Sequence, residues 1–396
     1  MTAPTPSVRG LGNESVRREN LASVLRLVHR NRTSGRSRSE LTALTGLNRS
    51  TIAALVGELA ALGLVAESEP ESRTRVGRPS PVVTTTDTVL GIAVNPEIDA
   101  VSVAVVGLGA RVLARTRVPA SATMSAADAV ALTAKAIERI WRPFAARHRN
   151  IGVGVAVPGL VRADDGLVRL APHFGWVDEP FTALLSDRIG LSVAAANDAT
   201  LGVLAESTFG AGRGEPDVVY LNGGASGIGG GIISGGASLI GAAGYAGELG
   251  HTLVSSAGIR CHCGAFGCLE TEVRRAPLLE LTGLTDAEAG ELEAALAASG
   301  DPAVRAEVDR QLDALAVALR NAVNTLNPRL IVLGGFLSAL YAVAPARLDD
   351  HLARQPLAAA REGVRIARAE LGGDILSIGA AELAFAGVLG DPAASL

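Results

Sequence analysis

Charge is scarce in this 396-residue chain. Only 19% of its residues are Asp, Glu, Lys or Arg, against 48% hydrophobic. That balance excludes a largely disordered chain and leaves apolar side chains enough for two or three domains. Lysine is almost missing, Lys135 being the sole one, so nearly every cation is Arg. Cysteine is limited to Cys261, Cys263 and Cys268. An odd set inside eight residues is a poor disulfide framework and a good metal site. The first twenty residues contain no apolar stretch of the signal-peptide kind, so a cytoplasmic protein is expected. The charge-free run 218–247 holds 11 Gly in 30 residues. Each Gly weakens a helix by about 1 kcal/mol relative to Ala, so Gly-rich turns between short strands are expected there, and no membrane partner.

The net charge of −4 conceals two unlike halves. Residues 1–86 hold 12 Arg against 7 Glu, a balance of +5, whereas residues 87–396 hold 24 basic against 33 acidic residues, a balance of −9. A basic head on an acidic body predicts a polyanion-binding module joined to one that binds something else.

Leu21, Val24, Leu25 and Val28 have helical spacing in the head. Ser37 and Glu40 form a capping box, which starts a helix over about 38–45 that Gly46 ends. A second helix runs from the N-cap Asn48 to about Leu62, with Ile52, Leu55, Val56, Leu59 and Leu62 as its expected buried face. Two short helices joined through Gly give a helix-turn-helix pattern, with Arg49, Ser50 and Thr51 at the start of the recognition helix, where side chains reach bases and phosphates. Leu64–Val65 and Val82–Val83 predict the two strands of a wing. A small three-helix bundle with a basic face is the plainer alternative. Arg78 sits in an extended Gly-Arg-Pro segment narrow enough for an A·T-rich minor groove, though an ordinary Pro-containing linker reads equally well.

Beyond residue 87, β-type runs (89–94, 101–106, 151–157, 191–196, 218–221, 228–233, 330–333) alternate with helical segments (125–148, 179–189, 199–208, 303–325, 376–389), which predicts an α/β fold. Strand ends at Pro158-Gly159, Asn197-Asp198 and Gly334-Gly335 place loops where such folds bind ligands. His251 with Cys261, Cys263 and Cys268 supplies one imidazole and three thiolates, a soft tetrahedral set suited to a closed, structural zinc. His262 is an alternative nitrogen ligand, and three free buried thiols are the bland reading.

The segment 247–270 resembles the ROK family (repressors, open reading frames and sugar kinases), whose signature joins Glu-x-Gly-His to Cys-x-Cys-Gly-x-x-Gly-Cys-x-Glu. GVAVPGLV at 154–161, LAPHFGW at 170–176, NDATLGVLAE at 197–206, SGIGGGII at 226–233, NPRLIVLGG at 327–335 and IGAAELA at 378–384 follow in order, and the head resembles that of the family's repressors. The resemblance implies a winged helix-turn-helix at 14–86 and a two-lobed actin-like ATPase fold, with lobes at 87–198 and 199–396 and the C-terminal helix returning to the first lobe. It implies a sugar held by Asn197, Asp198, Glu248, His251 and Glu270, with Gly159 admitting backbone close to it. His251 would use one ring nitrogen for zinc and the other for a hydroxyl.

In the family's kinases Asp198 would be the general base. A kinase also needs a phosphate-cradling first hairpin, which here reads GIAVNPEIDAVSVAVV. Ala93 replaces the expected carboxylate, Pro96 lacks an amide donor, and Glu97 repels a triphosphate, so loss of phosphoryl transfer is expected. The resulting expectation is a sugar-responsive repressor without kinase activity, acting as a homodimer or homotetramer on a palindromic double-stranded operator. The competitors are an active ATP-dependent sugar kinase carrying a DNA-binding head and a zinc-responsive regulator.

Overall fold

The structure is a computed structural model and describes residues 13–69, 80–121 and 124–396. In the head, α1 (Asn13–His29) is followed by β1 (Arg36–Ser37), α2 (Arg38–Thr45), α3 (Arg49–Ala61), β2 (Val65–Ser68) and β3 (Val82–Thr85). Local chemistry sets these limits. Ser37 caps α2 in a reciprocal box with Glu40, and Gly46 ends it at φ 72°, a left-handed conformation that glycine adopts without strain. Asn48 caps α3 by accepting from the Thr51 amide. The wing is antiparallel with Val65 opposite Thr85 and Ser68 opposite Val82. Arg36–Ser37 adds a third strand, too short for its sequence to announce.

The body contains β4 (Val89–Pro96), β5 (Ala100–Gly107), β6 (Arg111–Pro119), α4 (Ala126–Trp141), β7 (Arg149–Val157), β8 (Leu160–Val161), β9 (Val168–Ala171), β10 (Trp176–Glu179), α5 (Phe181–Ile189), β11 (Val193–Asn197) and α6 (Asp198–Phe209). There follow β12 (Val218–Gly223), β13 (Ile228–Ser234), β14 (Ala237–Ser238), α7 (Leu269–Glu272), α8 (Arg275–Thr282), α9 (Leu292–Ala298), α10 (Pro302–Leu326), β15 (Leu330–Gly335), α11 (Phe336–Val343), α12 (Pro345–Arg354), α13 (Ala358–Arg361), β16 (Arg365–Arg368) and α14 (Ile375–Gly390). Two five-stranded sheets run β6-β5-β4-β7-β11 and β14-β13-β12-β15-β16. Each begins with an antiparallel meander and then adds two parallel strands on the other side of its first strand. This duplicated topology agrees with the two-lobed actin-like expectation. Sequence reading missed β6, whose three Arg alternate with half-buried residues along an edge strand. It also ran the helix at 125–148 too far, since α4 ends at Trp141.

Side-chain alternation sorts the layers. Leu90, Ile92 and Val94 face outward to the apolar side of α4 and α5, whereas Ala93, Ala104 and Ala156 face inward to α14. In the second sheet, Val219, Leu221, Ile331 and Leu333 pack under α8–α12, and Val218, Tyr220 and Val332 face Val203 of α6. The helical stretch Gly372–Gly390, which contains α14, is long and apolar enough to cross a membrane by length and composition. It is instead an interior helix, packed on β4, β7 and α6. Small residues permit this. A Cβ on Gly154 would lie 1.7 Å from the Ala380 carbonyl oxygen, and one on Gly379 would lie 2.3 Å from that of Leu201.

Glycines with and without such neighbours should respond oppositely to alanine. Gly154→Ala must displace α14 and should lower unfolding free energy by more than about 3 kcal/mol or prevent folding. Gly57, inside α3, has nothing near its added Cβ, so Gly57→Ala should raise stability by about 0.5–1 kcal/mol. Urea denaturation of the two variants checks both signs.

Candidate functional site

Asn197 ends β11 and Asp198 starts α6, so both stand at the carboxyl end of a parallel strand. Asn197 Oδ1 accepts from the amides of Ala199 (2.9 Å) and Thr200 (3.0 Å), and its Nδ2 donates to the Gly159 carbonyl at 3.1 Å. It therefore caps α6 and ties the helix to the loop after β7, with one amide hydrogen to spare. Gly159 has its own packing reason: a Cβ there would meet the Leu170 carbonyl oxygen at 2.3 Å. Asp198 accepts from the Ala199 amide at 2.8 Å and is half-buried. Desolvation by the surrounding walls, with Glu248 adding like charge, pushes its carboxyl up to about 6.

The glycines of β13 bring the second lobe against this helix start. A Cβ on Gly229 would meet that of Ala199 at 2.8 Å, and one on Gly231 would meet the Ala199 carbonyl oxygen at 2.5 Å. A Cβ on Gly230, on the opposite side, would meet the Gly247 carbonyl oxygen at 2.3 Å, and this close approach seats Glu248 beside the same strand. Close packing thus accounts for this Gly run without a nucleotide. Burial also raises Glu248, an effect that His251 opposes.

His251, Cys261, Cys263 and Cys268 present donor atoms all within 4.8 Å of one another. Cys261 Sγ lies 3.5 Å from His251 Nδ1, and Cys263 Sγ lies 3.7 Å from Cys268 Sγ. The second distance is far too long for a disulfide. It equals the edge of about 3.8 Å expected for a tetrahedron with metal–sulfur bonds of ~2.3 Å. The cluster could therefore hold a metal ion. His251 Nδ1 faces the thiols, and Nε2 faces Glu248 Oε2 at 4.0 Å. Glu270 lies closer to the thiols than its sugar-binding reading implies. Its Oε1 accepts from Cys261 Sγ at 3.1 Å and lies 3.0 Å from Nδ1 of the more exposed His262.

In the head, Arg49 is exposed with no partner among the described residues, as the tip of a recognition helix requires. Ser50 Oγ donates to Asn48 Oδ1 at 2.7 Å, so part of its hydroxyl serves the cap. Thr51 is half-buried and lines a groove with Arg17 and Asn20 of α1. Arg78 lies outside the described residues.

A family model described as "ROK family" matches residues 92–386. The chain belongs to the ROK family. It is 38% identical to a glucokinase of Thermotoga maritima over 204 residues, 47% of this chain and 64% of the kinase. It is 28% identical to the DNA-binding transcriptional dual regulator NagC of Escherichia coli K12 over 381 residues, 91% of each chain. The crystal structure of a ROK family transcriptional regulator, a homologue of the E. coli MLC protein, superposes with a TM-score of 0.76 at 24% identity, covering 95% of this chain and 97% of that one. That likeness establishes the fold over head and body together.

Within this ROK fold the first hairpin departs from a phosphate cradle. Ala93 is buried between Ala104 and Gly154. At the tip, Arg117 donates to Glu97 (2.9 Å) and to Asp99 (2.5 Å), and Ser102 donates to Glu97. One guanidinium shared by two carboxylates leaves the tip negative. Sequence reading missed another carboxylate, Glu206. It is fully buried on α6 and accepts from the amides of Ala211, Glu370 and Leu371. A carboxylate two turns beyond Asp198, in the mostly apolar stretch Leu201–Phe209, was its signal.

Asp198 yields a pH prediction. Its folded pKa of about 6 exceeds the ordinary 3.8, so its ionisation opposes folding: the cost is absent below about 3.8 and complete above about 6. Asp198→Asn should therefore raise the Tm of the ligand-free protein at pH 7–8, by an amount equivalent to at most about 3 kcal/mol. The difference should vanish near pH 3.8. Thermal unfolding of both proteins across pH 4–8 tests the sign.

Proposed function

We propose that this chain is a sugar-responsive transcriptional repressor without kinase activity. One juxtaposition carries the reading. The hydroxyl-binding set Asn197, Asp198, Glu248, His251 and Glu270 is intact, while the hairpin beside it ends in Glu97 and Asp99 sharing a single Arg117. A sugar finds acceptors and donors, and a triphosphate finds repulsion. In the proposed division, residues 14–86 bind DNA and 87–198 and 199–396 form the lobes, with Gly159 letting backbone approach the ligand. Arg49, Ser50 and Thr51 enter the major groove, and Arg78 lies in the adjoining minor groove. The similarity to NagC over 91% of both chains, head included, supports the regulatory reading.

Zinc fits the His251, Cys261, Cys263 and Cys268 set best. Four protein donors fill its coordination and leave no place for a reactive water, so its role is structural. The ion would fix the His251 ring and turn Nε2 toward the ligand. A homodimer or homotetramer would set two recognition helices on a palindrome about one helical turn apart.

One observation favours the kinase alternative. Asp198, with a pKa raised to about 6, is suited to accept a proton from a sugar hydroxyl. A coupled ATP assay with hexoses and amino sugars separates the readings. The repressor reading expects no turnover, and a rate near the enzyme median of about 10 per second would replace it with the kinase. In operator-binding assays, Arg49→Ala should weaken DNA binding and keep sugar affinity. Glu248→Ala should keep DNA binding and lose a sugar-induced release of roughly 5–150-fold.

Metal analysis should find one zinc per chain, and Cys263→Ala should lose it together with thermal stability. Reversible loss of DNA affinity on chelation, with the body still folded by circular dichroism, would favour the zinc-responsive reading instead.

A further inference from the structure

The seam between head and body contains a cleft of about 630 Å³ that neither the sugar site nor the DNA face uses. Its walls come from the turn after α1, the β5–β6 turn and the segment after α6, and they carry Arg32, Arg111, Arg115 and Arg213. One acidic side chain, Asp374, lines it, and Asp87 stands behind Arg111. Asp374 is taken by Arg115 and Asp87 by Arg111. Among the described residues, the guanidinium groups of Arg32 and Arg213 have no hydrogen-bond or ion-pair partner, although the Arg213 main-chain amide donates to the Gly210 carbonyl. Arg111 also keeps a buried Nε with no acceptor, an uncompensated donor of the kind that a ligand oxygen satisfies.

The backbone supports the same arrangement. Arg32 at φ 53° and Ala110 at φ 59° are both left-handed without being glycine. Strain of this kind persists where surrounding structure enforces it. Gly109 lies between them, and a Cβ there would meet the Arg32 Cα at 3.3 Å. The same Gly109 amide donates to Nδ1 of buried His29 at 2.9 Å.

DNA is the wrong occupant. Arg17, at the other end of α1, lines the groove beside Ser50 and Thr51. The twelve helical steps from Arg17 to His29, at about 1.5 Å each, set the turn that carries Arg32 roughly 18 Å back from the start of α3. The volume is that of a small-molecule site.

We propose that this cleft binds a small phosphate-bearing anion that bridges Arg32 of the head to Arg111, Arg115 and Arg213 of the body. Guanidinium forks suit phosphate oxygens. Such a ligand would fasten the head to the body independently of the sugar pocket.

The test is calorimetric titration of the full chain with inorganic phosphate and with glucose 6-phosphate, at ionic strength held constant with NaCl. Saturable binding of one ion per chain is expected, persisting in Glu248→Ala, which separates this site from the sugar site. Arg213→Ala and Arg32→Asn (Asn tolerates the left-handed backbone) should each weaken it by roughly tenfold or more. Stronger binding of glucose 6-phosphate, still lost in Arg213→Ala, assigns the site to a phosphosugar, and equal or weaker binding assigns it to free phosphate. No saturable binding, binding that Glu248→Ala abolishes, or binding that both arginine variants retain would overturn the proposal.

Discussion

The rest of the structure depends on how closely α14 approaches its neighbours. Gly154 on β7 lies against the Ala380 carbonyl, and Gly379 of the helix lies against the Leu201 carbonyl of α6. Backbone meets backbone at both points, at distances no side chain would allow. The helix joins the first sheet to α6, and α6 joins the second sheet through the glycines of β13. A shift of one lobe against the other would therefore be felt at both α6 and α14. Both helices carry a buried or nearly buried carboxylate, Glu206 and Glu382, whose partners lie outside their own helix.

The head belongs to the same packed body. Leu21, Val24, Leu25 and Val28 share a continuous apolar cluster with Ala380, Ala381, Phe385 and Val388. At its polar edge His29 accepts from the Gly109 amide through Nδ1, which puts its proton on Nε2, facing Glu382 at 3.0 Å. Phe209 and Phe385 pack edge-on against the same ring. α1 is thus held at its C-terminus by the body while its N-terminal part lies beside the recognition helix. Motion of α14 in response to a ligand near Asp198 would act directly on that anchor, which gives a physical basis for a sugar to alter DNA affinity.

Electrostatics differs between the start of α6 and the first hairpin. Burial raises the carboxyls of Asp198 and Glu248, so each would gain from hydrogen-bond donors that relieve its desolvation. At the hairpin tip, Glu97 and Asp99 share the guanidinium of Arg117. The main chain of the hairpin keeps its register, with Ala93 opposite Ala104.

Much of this was legible in the sequence. The capping box at Ser37–Glu40, the αL glycine at Gly46 and the Asn48 cap act within one turn of chain, so their chemistry is local and readable. The spacing of Cys261, Cys263 and Cys268 likewise allowed the thiol cluster to be read directly, because a short loop must bring its own residues together. What the sequence hid were contacts between distant segments. Glu206 reaching residues 370–371, His29 meeting Glu382, and Asn197 tying its helix cap to the Gly159 carbonyl depend on where the chain returns. The glycines at 229–231 pack against Ala199 and the Gly247 carbonyl, contacts that only the tertiary positions of α6 and of the segment before Glu248 reveal. Sequence by itself determined the modules and the local chemistry of the site. Tertiary structure decided which buried polar groups pair across it, because pairing depends on distances that no local pattern encodes.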